Sequence, residues 1–303
     1  MAKRRFRTQY ARDLHWALKS PSLMDHPKVV APKWGQKETA RWRGVIRRLD
    51  RPGSALWKAV RRADIGGPGE YFELLVRTWI EEVPPARLKA SNWQVYAGEH
   101  TVGEFDLLFE RDRTVWHWEL AAKFYLGRPA HDGQFRWFGP LGVDRLDRKW
   151  AKMRGQQLRL AGHHAASGSL GVLDIEEPPE SRALIKGYLF EPMDPKMDPE
   201  MPPDINPNAS MGWWARRSRL DERAARIEQF TGVDPHQLQW MVLPKKRWLS
   251  PAYVTEQDRL VGFDQLAGVL EGRDVMLVAG IAETKRGLRE ITRGFVVQED
   301  GRW

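Results

Sequence analysis

Apolar positions recur with helical spacing between residues 70 and 83. In EYFELLVRTWIEEV they are Phe72, Leu75, Val76, Trp79, Ile80 and Val83. This spacing is typical of a helix with one face in the core. GGPG at 66–69 precedes the pattern, and PP at 84–85 ends it because proline cannot continue a helix. A second stripe predicts a helix over about 144–161; its members are Leu146, Trp150, Met153 and Leu160.

Four short segments carry the β-branched and aromatic residues that are typical of strands. They are NWQVYAG (92–98), TVGEFDLLF (101–109), TVWHWELAA (114–122) and RALIKGYLF (182–190). From residue 69 to residue 190 the predicted order is therefore helix, three strands, helix, strand. This order predicts an α/β fold with a mixed sheet in a core over 67–190.

The segments outside this core have different patterns. Residues 1–66 form short basic helices, and the proline-rich stretch 191–210 is predicted to be a loop or linker, since proline disrupts helices and sheet ladders. Residues 211–303 carry helix and strand patterns in alternation, which predicts an α+β extension. The pattern is compatible with an extension that packs on the core and with one that does not.

Charge is unevenly distributed along the chain. Residues 1–62 hold 17 Lys and Arg against 4 Asp and Glu, a net of +13, while the other residues hold 32 against 36, a net of −4. A basic segment on a nearly neutral body favours an anionic partner, with nucleic acid ahead of a membrane surface. Solvated helix faces would explain the same charges. A second basic segment, PKKRW, lies at 244–248.

Tryptophans are interleaved with the basic residues of the N-terminal segment. Trp16, Trp34, Trp42 and Trp57 could stack on bases, but burial in the core is the commoner role and is our expectation. The chain has no apolar run of about 18 residues, and its basic N-terminus lacks the apolar stretch of a signal peptide. Cysteine is absent, which excludes disulfides and thiolate metal sites and suits a cytoplasmic protein.

Two carboxylates interrupt the apolar pattern of neighbouring strands in GEFDLLFERDRTVWHWELAAKF (103–124). The polar cluster ERDRT between the strands predicts a hairpin with a loop of two or four residues. In either case the numbers of paired residues sum to 225, which places Asp106 opposite Glu119. Like charges in that position are destabilising unless one is protonated or a cation lies between them.

Carboxylate oxygens at this separation suit Mg²⁺ or Mn²⁺, which commonly binds one or two carboxylates and keeps several waters. Lys123 lies two positions further along the same face of the strand, where it can place an ammonium group beyond Glu119. Two acids that hold a divalent metal, with a lysine nearby, predict hydrolysis of phosphodiester bonds.

VGEFDLLF, a turn and HWELAAKF resemble the metal-site hairpin of the PD-(D/E)XK nucleases, the restriction-endonuclease-like superfamily. Within it, ELAAKFYLG, GYLF, GWW and WLSP look like an uncharacterised bacterial family of unknown function. The resemblance covers about residues 69–190 and implies that Asp106 and Glu119 are the metal ligands. It also implies that Glu73 is an accessory acid and that Gln157 matches a glutamine of exonuclease-like branches.

Glu73 and Gln157 have structural alternatives. Glu73 lies at the border of its apolar stripe and could pair with Arg77 instead of facing the site. Gln157 is the one polar member of the stripe on its helix, and a buried amide needs hydrogen-bond partners of some kind.

The sequence departs from the superfamily pattern at two positions. Phe105 replaces a proline, and Ala121 occupies the place of the lysine expected two residues after Glu119. Lys123 could serve in its stead. The leading hypothesis is a Mg²⁺-dependent nuclease that acts on DNA or RNA, with Asp106, Glu119, Lys123, Glu73 and Gln157 as its site. The alternative is a nucleic-acid-binding or assembly protein that has kept the fold without the chemistry.

Overall fold

The computed structural model describes residues 6–197, 199–285 and 287–298. The α-helices of these residues are α1 (Gln9–Lys19), α2 (Pro32–Arg41), α3 (Arg43–Leu49), α4 (Ala55–Arg62), α5 (Pro68–Glu82), α6 (Leu146–Gly155), α7 (His164–Gly171), α8 (Ala224–Thr231) and α9 (Phe263–Val269). None of the helices in the described residues is long and apolar enough to cross a membrane.

The strands belong to one mixed sheet. They are β1 (Arg87–Ala97), β2 (His100–Arg111), β3 (Thr114–Pro129), β4 (Phe135–Phe138), β5 (Glu180–Pro192), β6 (Ser210–Arg216), β7 (Gln239–Leu243), β8 (Val275–Thr284) and β9 (Gly287–Val297). Their order is β1-β2-β3-β5-β6-β9-β8-β7, with β4 paired to β3. The contacts β3–β5, β5–β6 and β6–β9 are parallel and the others are antiparallel. The α/β class predicted from the sequence is confirmed.

Strand β3 is buried on both of its faces. Trp118, Leu120 and Phe124 pack in the main core, which also contains residues of α1, α3 and α5. Alternate residues such as Ala121 and Tyr125 pack on the other face against α6. Helices thus cover both sides of this strand, which explains why 114–122 is apolar on both faces.

The hairpin between β2 and β3 has the predicted register. Five successive pairs from Leu107↔Trp118 to Arg111↔Thr114 sum to 225. Its loop is the two-residue alternative, because Asp112 and Arg113 both have positive φ, at 53° and 63°. Positive φ at both central positions is the requirement of a type I′ turn, whose twist matches that of the strands.

The helix predicted over 144–161 is shorter than expected. Helix α6 ends at Gly155, and residues 157–162 form a 3₁₀ turn that leads to α7. Gln156 separates the two with φ −124° and ψ −63°, outside the helical range. Glycine at the end of α6 favours such a break. The apolar stripe continues beyond the break because α6 and the 3₁₀ turn pack on the same side of the sheet.

The proline-rich segment 191–210 connects two adjacent strands of the sheet. Strand β5 extends to Pro192, and β6 begins at Ser210 and pairs with it in parallel. Ile205, within the segment, forms an isolated bridge with Met24. The strands after residue 210 therefore extend the sheet that contains the predicted core.

The N-terminal tryptophans mostly pack in the interior. Trp16 is buried and stacks on Tyr188 with ring centroids 5.7 Å apart. Trp34 and Trp42 are partly buried against the main core, and Trp34 meets Trp118 edge to face. Trp57 is half-buried, with the Arg61 guanidinium 4.8 Å from its ring centroid. The expectation of a core role is confirmed for the first three.

Candidate functional site

Strands β2 and β3 separate next to the two predicted carboxylates. Their last ladder pair is Leu107↔Trp118, so Asp106 and Glu119 occupy the next position, where regular pairing has ended. The main-chain N–H of Leu120 donates instead to Asp106 Oδ2 at 2.8 Å. A carboxylate thus replaces a main-chain acceptor, which fixes the Asp106 side chain beside β3.

Glu119 is fully buried, and each of its oxygens has a partner. His117 Nε2 lies 2.9 Å from Glu119 Oε1, and Gln157 Nε2 donates to Glu119 Oε2. Gln157 Oε1 accepts in turn from Lys149 Nζ at 3.3 Å. The predicted Gln157 therefore reaches the site from the 3₁₀ turn after α6, and it links Glu119 to a lysine.

Glu73 faces Asp106 from the neighbouring helix. Both side chains line a cavity of about 140 Å³ between α5 and the sheet, together with Arg77 and Leu120. Glu70 is exposed and accepts from the N–H of Gly66 at 2.8 Å, near the start of the helix. Of Glu70 and Glu73, Glu73 is thus the one whose side chain lies beside Asp106 on the sheet.

The carboxyl groups share an unfavourable environment for negative charge. Burial raises the pKa of Asp106 to about 7, and the charge of Glu119 contributes in the same direction. Burial also raises the pKa of Glu119 to about 7. For Glu73, burial and the charge of Asp106 raise the pKa to about 7. Three acids held in this way would be stabilised by a nearby cation.

His117 is a neutral partner of Glu119. Burial lowers its pKa to about 4, so that the imidazole is uncharged at neutral pH. Its Nδ1 lies 3.0 Å from Ser181 Oγ, on the adjacent strand β5. Because a carboxylate only accepts, Nε2 donates to Glu119 and Nδ1 accepts from the serine hydroxyl. This pair of bonds holds Glu119 in one orientation.

Two lysines lie near the site in different settings. Lys123 Nζ is 2.7 Å from Asp144 Oδ2 in a partly exposed ion pair. Lys149, on α6, is attracted by both Glu119 and Asp106, while burial lowers its pKa. The structure therefore brings Lys149 to the carboxylates and pairs Lys123 with an aspartate.

The position that lacks the expected lysine is apolar. Ala121 is buried and packs with Tyr125 and Trp137. Its face of β3 is closed by the α6 layer, so a lysine amine there would have to displace apolar contacts. A basic group reaches the carboxylates from the helix instead.

Sequence reasoning missed Lys149, His117 and Ser181 as members of this cluster. The sequence gives a weak indication that Lys149 faces the sheet. Lys149 follows Leu146 by three residues and therefore lies at the border of the apolar stripe of the predicted helix. His117 alternates with Glu119 along the strand and so shares its face. Ser181 had no signal, since the parallel pairing His117↔Ser181 joins segments far apart in the chain.

The donor set is compatible with a small divalent cation. Asp106 and Glu119 offer carboxylate oxygens, and Mg²⁺ is commonly held by one or two carboxylates with waters in its other positions. Within the described residues, no group of three or more His, Asp or Glu side chains is arranged to hold a metal ion. Within this cluster, Asp106 and Glu119 are the neighbouring carboxylates that could hold such an ion, and Glu73 lines the cavity next to them together with Asp106.

Comparison with known proteins gives one match. No curated protein and no solved structure matches the chain significantly. A family model described as a domain of unknown function, DUF1853, matches residues 12–297, which include the whole site and all the strands described above. The chain therefore belongs to the DUF1853 family.

Proposed function

We propose that this protein is a Mg²⁺-dependent nuclease with a restriction-endonuclease-like core. The observation that carries the proposal is the placement of Asp106 and Glu119 where β2 and β3 separate, beside Glu73, Gln157 and Lys149. The chain order α5, β1, β2, β3, α6, β5 supports it, because this is the order of helices and strands in the PD-(D/E)XK core, to which this chain adds the short strand β4 before α6 and the helix α7 before β5.

Each side chain has a defined part in this proposal. Asp106 and Glu119 would hold the metal, which would supply a water of lowered pKa and neutralise charge on the phosphodiester. Gln157 and His117 orient Glu119 through the two hydrogen bonds described above. Glu73 is an accessory acid across the cavity.

A lysine is needed to orient the nucleophile or to stabilise developing negative charge. We assign this part to Lys149, because it lies by Gln157 and both carboxylates. Lys123 is the second candidate; it would have to leave Asp144 first. The cysteine-free composition suits a protein that works in the reducing cytoplasm.

The alternative is a nucleic-acid-binding protein without catalysis on the same scaffold. Ala121, in place of the lysine of the superfamily pattern, is the observation that favours it. In that case the carboxylates would still bind a divalent metal or a proton, but the bound nucleic acid would not be cleaved.

Calorimetric titration of Mn²⁺ into the metal-free protein distinguishes the two. We expect binding that Asp106→Asn and Glu119→Gln each weaken by at least about tenfold, since each removes a charged ligand. Cleavage of single- and double-stranded DNA and RNA should fall by at least about 100-fold in both variants. Asp112→Asn, an exposed aspartate on the same hairpin, is the matched control.

Three results are informative. Binding and cleavage that both depend on the two carboxylates support the nuclease. Carboxylate-dependent metal binding with no cleavage of any substrate favours the inactive binder. Mn²⁺ binding that is the same in all four proteins, or absent from the wild type, contradicts the metal site.

A further inference from the structure

The two basic segments of the sequence meet at one cavity. Arg7 and Arg12 come from the N-terminal segment, and Lys246 and Arg247 come from the segment 244–248. Together they line a cavity of about 450 Å³, which we call the basic cavity. Of the described residues that line it, none is an aspartate or a glutamate. Arg247 is paired with Asp258 at 2.5 Å. Segments about 240 residues apart in the chain therefore bring Arg7, Arg12 and Lys246 to one place without an ion-pair partner for them among the described lining residues.

Some of the other lining residues are polar. Tyr10 carries a hydroxyl group, while the Thr255 hydroxyl donates to Asp258 and the Gln9 amide donates to Asp13. Hydroxyls, amides and cationic groups are the side chains that commonly contact nucleic-acid phosphates. Lys246 and Arg7 are exposed, so their charges are accessible from solvent.

The Arg12 guanidinium lies 4.5 Å from the ring centroid of Tyr253 and has N–H groups that are not used in hydrogen bonds within the described part of the chain. Its Nη2 donates to Gln9 Oε1 at 2.9 Å, while Nε and Nη1 are buried without a hydrogen-bond partner among the described residues. Burial lowers its pKa, while the nearby charges of Asp13 and Asp50 act in the opposite direction. A buried guanidinium with unused N–H groups is stabilised when an anion enters beside it.

The basic cavity adjoins the cavity of about 140 Å³ that Glu73 and Asp106 line, which we call the carboxylate cavity. Ile65, in the segment between α4 and α5, lines both of them. Tyr71 lines the basic cavity from the first turns of α5, and Glu73 lines the carboxylate cavity two residues later. One short segment of chain therefore separates a place for phosphate binding from the proposed place of phosphodiester hydrolysis.

We propose that the basic cavity binds a backbone phosphate of the nucleic-acid strand whose scissile phosphodiester lies at Asp106 and Glu119. This inference rests on the proposed function for the position of the scissile bond. The binding itself needs no metal and no hydrolysis, so the two can be tested separately.

The test is equilibrium binding of fluorescent oligonucleotides in EDTA, at several NaCl concentrations, with single- and double-stranded DNA and single-stranded RNA. The variant is Arg7→Gln/Lys246→Gln, whose positions are exposed, so that the fold is retained. The control is Arg226→Gln/Arg273→Gln, which removes two charges from the exposed surface of α8 and the turn before β8. Melting curves of all proteins verify folding.

The Arg7→Gln/Lys246→Gln variant should bind at least about tenfold more weakly at low salt. Its plot of log affinity against log salt concentration should be shallower by about one, because the cavity is proposed to bind one phosphate and each lost phosphate contact lowers the slope by roughly one. The control should bind like the wild type. Excess inorganic phosphate and AMP are tested as competitors, to separate a strand site from a site for free phosphate or a nucleotide.

Equal affinity and slope for the variant and its control would overturn the inference, as would a wild type that binds no oligonucleotide. Tight AMP binding at the basic cavity without strand binding would overturn it as well. If the wild type binds oligonucleotides through the basic cavity but cleaves none of them with Mn²⁺, the result would support phosphate binding by the cavity and contradict the proposed nuclease activity. If the Arg7→Gln/Lys246→Gln variant cleaves oligonucleotides as fast as the wild type, the result would support the nuclease activity and contradict phosphate binding by the cavity.

Discussion

Lys149 and Lys123 differ in what neutralises them, and this difference predicts different consequences of their removal. Lys149 interacts with Gln157 and the two carboxylates, whereas Lys123 pairs with Asp144. We expect Lys149→Met to lower kcat for strand cleavage by about 10²–10³, as for other single electrostatic groups in active sites. Lys123→Met should change kcat by less than about tenfold. Single-turnover cleavage with saturating Mn²⁺ measures both effects. A larger loss of rate for Lys123→Met than for Lys149→Met would show that Lys123 is the catalytic lysine.

The carboxylate pair predicts how stability depends on pH in the metal-free protein. The pKa values of Asp106 and Glu119 are raised to about 7 from 3.8 and 4.5. Between about pH 4 and pH 7 the folded protein therefore holds protons that the unfolded chain has released. The free energy of unfolding should fall as the pH rises through this range and level off above it.

Urea unfolding in EDTA at pH 5 and pH 8 measures this dependence. From pH 5 to pH 8, the free energy of unfolding of the wild type should decrease more than that of the Asp106→Asn/Glu119→Gln variant. The difference should be at least about 1.4 kcal/mol, which corresponds to a shift of one pKa unit on one group. Mn²⁺ should restore stability at pH 8 in the wild type alone, because it binds the ionised pair. Parallel curves for the two proteins would mean that these groups do not titrate in this range.

At the scale of elements, the site depends on how closely β3 and β5 approach each other. Gly187 lies in β5 opposite Lys123 with φ +144°, and an added Cβ would lie 1.7 Å from the main-chain oxygen of Lys123. Only glycine adopts this conformation easily, and the clash is with backbone atoms that belong to the sheet. The parallel pairing that brings Ser181 to His117 thus requires a glycine six residues further along β5.

Gly187→Ala should lower the free energy of unfolding by about 3 kcal/mol or more, since strain and a backbone clash act together. Gly168→Ala is the matched control. Its added Cβ meets nothing within 4 Å in α7, so we expect a gain of about 0.5–1 kcal/mol from helix propensity. Chemical unfolding followed by circular dichroism measures both. A loss below about 1 kcal/mol for Gly187→Ala would show that the strands can separate at little cost.

At the scale of the whole molecule, buried polar groups join the N-terminal helix to the C-terminal strands. Asp13 of α1 is fully buried and accepts from Tyr71 of α5 at 3.0 Å and from Ser250 Oγ at 2.6 Å. The buried Arg293 of β9 donates to the carbonyl oxygens of Trp248 and Ser250. Breaking such a network leaves charges buried without partners, which is strongly destabilising.

A fragment of residues 1–210 is therefore expected not to fold alone. It would lack Ser250 as a partner of Asp13, and β5 would become an unprotected apolar edge once β6 is removed. We expect aggregation or a non-cooperative thermal transition, where the full chain melts cooperatively. Circular dichroism and limited proteolysis of the two proteins provide the measurement. A cooperative transition and a protease-resistant core in the fragment would show that the N-terminal part is an independent domain.

The sequence alone determined the features that depend on neighbours in the chain. The stripe from Phe72 to Val83 predicted α5, and the polar cluster between two apolar runs predicted the hairpin and its register. It also placed Asp106 and Glu119 at adjoining positions, because a two-residue turn fixes which residues face each other across two strands. These predictions succeeded since hairpin pairing and helical periodicity are local.

Only the tertiary structure decided which distant groups surround the carboxylates. Ser181 meets His117 through the parallel β3–β5 pairing, and Gln157 arrives from a 3₁₀ turn that the apolar stripe did not reveal. Lys149 and the basic cavity likewise depend on how α6, α1 and the segment 244–248 pack on the sheet. Local patterns carry little information about such contacts, because the free energy of packing is distributed over the whole sheet and its two helical layers.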